Sequence, residues 1–88
     1  MMPQIIVNAI DEHHFQVTVI DSITTAHQVT TEPNYALKLC AGKITTAQLV
    51  EKSFDFLLER EANTSIMRSF DLSVIAHYFA EYEQIIAQ

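Results

Sequence analysis

One glycine, two prolines, one cysteine and no tryptophan stand in this 88-residue chain. So little glycine excludes the loops that cradle phosphates, which need several glycines at fixed spacing. With Gly and Pro this scarce and 49% of residues hydrophobic, the composition is that of a folded domain and not of a disordered tract. At this length one domain is expected. The lone Cys40 cannot close an internal disulfide. Its neighbours Ala36, Leu37 and Leu39 point to a buried thiol in a reducing compartment. No apolar run reaches the ~20 residues of a membrane span. The opening MMPQIIVNAID lacks the basic start and small-residue cleavage site of a signal peptide, so the expected location is the cytoplasm, with no membrane partner.

Positive charge is equally scarce. Five Lys and Arg face eleven Asp and Glu, for a net charge of −6. All five lie between Lys38 and Arg68, where Glu51, Asp55, Glu59 and Glu61 accompany them. Nothing resembles the basic stripe that neutralises successive phosphates, so nucleic acid is not an expected partner.

The first thirty residues carry strand signals. Ile5, Ile6 and Val7 open a strand running to about Ile10, and Asp11 to His14 reads as a turn. Phe15, Val17 and Val19 alternate with Gln16 and Thr18 at the period of a half-buried strand. Asp21-Ser22 is a second turn, and Thr24 to Thr30 a third, more polar strand. Short connections predict a three-stranded antiparallel meander over 4–30. The consecutive apolar residues of the first strand leave its register open.

Helical signals follow. Pro33 suits a first helical turn, Tyr35, Ala36, Leu39 and Cys40 share a face, and Gly42 stands at a left-handed cap, giving a short helix over 33–41. Thr45 with Gln48 forms a capping box, and Ile44 with Leu49 a hydrophobic staple, for a helix over 46–61. Its buried stripe is Leu49, Val50, Phe54, Leu57 and Leu58, widened by Phe56. Asn63-Thr64-Ser65 caps a helical turn over 64–68. Asp71 is a good N-cap for a last helix over 72–87, where Leu72, Ile75, Phe79, Tyr82 and Ile86 recur at spacings of 3, 4, 3 and 4. The expected architecture is therefore α+β: a three-stranded antiparallel N-terminal sheet packed against two long C-terminal helices, with one or two short ones.

Catalytic and metal constellations are not evident. His13 and His14 are adjacent, so in extended chain they point to opposite faces, and neither His27 nor His77 lies near them in sequence. No ligand spacing is recognisable, and the expected cofactor and metal content is none. Cys40 has no local His or Asn signature, and apolar surroundings suppress thiolate formation. The candidate interaction surface is Arg60, Arg68, Tyr78 and Tyr82, residue types enriched in binding hot spots. Two readings stand side by side. Arg60 and Arg68 either pair with local acids or helix-end carbonyls, or they present a charged patch. Tyr78 and Tyr82, four apart, are either core with surface hydroxyls or part of an interface.

The stretch FLLEREANTSIMRSFDLSVIAHYFAEYE, residues 56–83, resembles a pattern of short uncharacterised bacterial proteins. That pattern has a helix ending FLLERE, an N-T-S-I turn, then FDL-x-VI-x-x-YF-x-EYE. The resemblance implies a small stand-alone bacterial protein and supplies no catalytic or binding residue. The leading functional expectation is a non-enzymatic protein-interaction module that self-associates through the last helix or meets another protein. The alternatives are an antitoxin-like or transcription-linked regulator, and a small-ligand binder or enzyme accessory subunit.

Overall fold

A computed structural model describes residues 3–87. Strands β1 (Gln4–Ala9), β2 (His14–Ile20) and β3 (Thr25–Thr30) form the antiparallel meander. Asp11 shapes the first turn, its carboxylate accepting from the His13 and His14 backbone N–H groups and from the His14 ring. Val17 and Val19 point inward and are fully buried, beside a buried Phe15. The first strand's register is settled by pairing: Ile5 lies opposite Val19 and Val7 opposite Val17, which turns both toward the core. Ile6 then faces outward and is 37% exposed.

Helix α1 (Pro33–Cys40) begins at Glu32, whose side chain accepts from the Asn34 and Tyr35 N–H groups. It ends on Ala41 in the left-handed region (φ 51°), with Gly42 also left-handed (φ 71°). The left-handed cap therefore begins one residue before the glycine. Helix α2 (Thr46–Leu58) carries the expected capping box, Thr45 Oγ1 accepting from the Gln48 N–H and Gln48 Oε1 from the Thr45 N–H. Leu49, Val50, Phe54, Phe56 and Leu57 are buried on it, while Leu58 is only partly so. The helix stops at Leu58, three residues short of the expected Glu61.

The expected three strands and two long helices need correcting beyond that point. A fourth strand, β4 (Ser69–Asp71), adds parallel to β3, with Val29 opposite Phe70, so the sheet is mixed and ordered β1-β2-β3-β4. Three residues are too few to show a period of two, which is why the sequence concealed it. The expected turn over 64–68 is a 3₁₀ turn at Asn63–Ser65. The expected last helix over 72–87 is two short pieces, α3 (Val74–Tyr78) and α4 (Tyr82–Ile86). Phe79 between them has extended backbone (φ −131°, ψ 97°). Neither Pro nor Gly causes this break. An unbroken helix over 72–87 would run about 24 Å in a straight line, in a molecule of 34 × 28 × 20 Å. Breaking it sends the second piece onto α2, where Tyr82 and Ile86 are buried. Phe79, expected in the core, is only partly buried.

Candidate functional site

The break in the last helix opens a groove. Its floor is Leu57 from α2, Ile66 after the 3₁₀ turn, Phe70 from β4, and Ile75 and Phe79 at α3. Glu61, Ser65, Met67, Val74 and Tyr78 complete its walls. The groove encloses about 490 Å³. Its rim carries two exposed large side chains: Tyr78 is 70% and Met67 43% exposed. One acid stands among these side chains. Burial raises the Glu61 carboxyl above its ordinary value. None of the ion pairs among the described residues involves Glu61.

Two polar networks tie the segment after α2 to the rest of the chain. In the first, His27 is fully buried on β3. Its Nδ1–H donates to the Met67 carbonyl at 2.8 Å, which leaves Nε2 to accept from the Thr25 hydroxyl at 2.8 Å. Thr25 Oγ1 in turn accepts from Asn63 Nδ2–H at 3.0 Å, and the same amide donates to the Ile23 carbonyl at 2.7 Å. Every donor has an acceptor, as buried polar groups require. The chain consumes a neutral imidazole, and burial lowers the His27 pKa, with the Arg68 charge adding to the effect. In the second network Ser53 donates to the Leu49 carbonyl at 2.7 Å, so the Tyr82 hydroxyl, 2.6 Å away, donates to Ser53 Oγ. Burial pushes the Tyr82 hydroxyl up to about 12.

The four expected surface residues are not one patch. Tyr82 is core, hydroxyl included. Arg60 follows the pairing reading: its guanidinium lies 3.6 Å over the Phe56 ring and donates to the Phe56 carbonyl, Glu59 and Glu81. Tyr82 meets the same Phe56 ring edge-on, with ring centroids 5.2 Å apart, so Arg60 and Tyr82 both pack on one aromatic. Arg68 is exposed, and its backbone carbonyl accepts from the Gln28 N–H. Tyr78 alone lies on the groove. Sequence reasoning counted Glu61 among the acids beside Arg60 and Arg68, and gave no role to Met67 or to the buried His27. Of the last two only His27 left a trace, as an inward-phase residue between Thr25 and Val29 on a polar strand.

Cys40 is buried, which raises its thiol pKa. His14 pairs with Asp11 in the first turn, away from His27. No cluster of three metal-ligating side chains occurs among the described residues. Among them, too, no helix is long and apolar enough to cross a membrane. Comparison with family profiles, curated proteins and solved structures gives no match.

Proposed function

We propose that the chain is a non-enzymatic interaction module whose working surface is the groove between α2 and α3. The observation that carries this reading is the groove itself: an apolar floor open to solvent, with Tyr78 and Met67 on its rim. Tyrosine supplies a large contact area at low entropic cost, and methionine adapts to varied partners. Glu61 gives the groove a sign. A carboxylate against apolar walls, without an ion-pair partner of its own among the described residues, complements a Lys or Arg. The partner is therefore a protein segment that presents an apolar side chain beside a basic one. A bacterial, cytoplasmic setting accords with the resemblance of residues 56–83 and with the single thiol.

Affinity capture from the extract of its own cell, with native protein and with Val74→Asp, tests the reading. Val74 is partly exposed on the groove wall, so the charge blocks docking without entering the core. A stoichiometric partner held by the native protein, lost with Val74→Asp and protecting the amides of residues 61–79 from exchange is the expected result. Equal capture by both proteins refutes it. A second reading rests on the volume of about 490 Å³, within the roughly 300–1,000 Å³ of small-ligand sites. There the groove takes an apolar amine, and partner capture gives way to thermal stabilisation by such compounds.

A further inference from the structure

The sheet has two edges, and they are treated differently. One is β4, three residues long. The other is β1, six residues long and, among the described residues, paired on one side only. The Ile10 N–H bonds to the His14 carbonyl at 2.8 Å, and the β1–β2 register runs unbroken from there. In an antiparallel ladder the bonding direction alternates, so Gln4, Ile6 and Asn8 address β2. The N–H and C=O groups of Ile5, Val7 and Ala9 therefore point away from the sheet. Folded proteins blunt such an edge with lysine, proline, a bulge or a covering element. Gln4–Ala9 contains no charged residue and no proline, and its register has no bulge.

We propose that β1 is a dimerisation strand: two copies of this chain pair antiparallel along their β1 edges and merge their sheets. The sequence is self-complementary in one two-fold register. With Ile6 opposite Ile6 of the second copy, Ile5 meets Val7 and Gln4 meets Asn8. Apolar side chains face apolar ones on both sides of the sheet, and amide faces amide. Ile5 and Val7 are the outward-bonding residues, so in this register they exchange backbone hydrogen bonds across the two-fold. Their side chains, half-covered at the rim of the core, gain the cover of the second copy's Val7 and Ile5. Charge selects the same edge. The chain carries a net −6, none of it on β1, so two acidic copies meet there with little repulsion. A strand-to-strand contact belongs to the small interfaces, below about 1,200 Å². The dimer accordingly dissociates on dilution, with Kd on the order of micromolar to tens of micromolar.

Sedimentation equilibrium over a wide concentration range, with amide exchange read by NMR at both ends, tests this. The expected result is a monomer–dimer equilibrium in which the Ile5 and Val7 amides exchange slowly when concentrated and fast when dilute. The Ile6 and Asn8 amides are slow at both. Ile6→Lys places like charges opposite each other at the two-fold, from a position on the open face where the monomer tolerates it. It shifts the protein to monomer by tenfold or more in Kd with unchanged circular dichroism. The Val74→Asp groove variant still dimerises, which separates this inference from the docking groove. A native protein that stays monomeric up to about 0.5 mM, with a fast Val7 amide, overturns the proposal. So does a dimer that survives Ile6→Lys with the Val7 amide unprotected. If Ile6→Lys disturbs the fold, the exchange pattern of the native protein decides alone.

Discussion

Between Gln4 and Thr30 the chain bonds to its sequence neighbours through two tight turns, whereas between Glu59 and Ala87 its main anchors lie far away in sequence. Asn63 and the Met67 carbonyl reach Ile23, Thr25 and His27, each across about forty positions. Tyr82 reaches Ser53, and Glu83 accepts from the Tyr35 hydroxyl at 2.7 Å. Local pairing makes the meander's shape readable from the alternation of β2 and the two turns that flank it. Remote anchoring lets the C-terminal segment abandon the helix its own periodicity favours. The same segment supplies most of the groove. The groove is thus built from the part of the chain whose conformation is imposed from outside it.

The largest effect expected is from Tyr82→Ala. It deletes a fully buried ring and should cost about 3–5 kcal/mol in denaturant unfolding. Tyr82→Phe should cost about 1 kcal/mol, because it removes one buried hydrogen bond and keeps the packing. If the two variants cost the same, the anchoring is polar and the ring is incidental. Asn63→Ala comes next, at about 2–3 kcal/mol, since it strands the Ile23 carbonyl and breaks the Thr25–His27 relay. It should also speed amide exchange in residues 63–71 more than in β1 and β2. On the meander's solvent face, Gln16→Ala should cost less than about 0.5 kcal/mol.

Acid should loosen the C-terminal side first. The folded pKa of His27 is depressed below its ordinary 6.5, so the unfolded chain takes up the proton more readily. The contribution of neutral His27 is complete above that value and is lost as pH falls below it toward the depressed folded pKa. Thermal unfolding followed from pH 7.5 to about 5 should show Tm falling in native protein and a flatter profile in His27→Gln. Parallel profiles would mean that His27 does not control this slope. One expected change is a gain. Ala41 is left-handed at φ 51°, where a Cβ costs energy, and Ala41→Gly should stabilise by about 1 kcal/mol.

How much was legible follows the same divide. Alternation at Phe15, Val17 and Val19, the turns at Asp11 and Asp21, and the Thr45–Gln48 box were signals between residues a few positions apart, and the structure contains them. The candidate site was barely legible. Of Arg60, Arg68, Tyr78 and Tyr82, the groove keeps Tyr78, while Tyr82 turns inward to Ser53 and Arg60 lies against Phe56. A spacing of four says that two residues share a face only if the helix between them persists. Here Phe79 interrupts it.

The sequence by itself determined the meander, α1, α2 and its cap, and the inward phase of β2, because backbone hydrogen bonding and period-two or period-3.6 burial act over short distances. Tertiary structure alone decided that Ser69–Asp71 joins β3, that the last helix breaks at Phe79, and that Glu61, Met67 and Tyr78 border one groove. A three-residue strand and a five-residue helix have too few local bonds to hold themselves. They exist because a sheet edge, a buried histidine and a serine hydroxyl, all fixed earlier in the chain, offer partners that a straight helix could not reach.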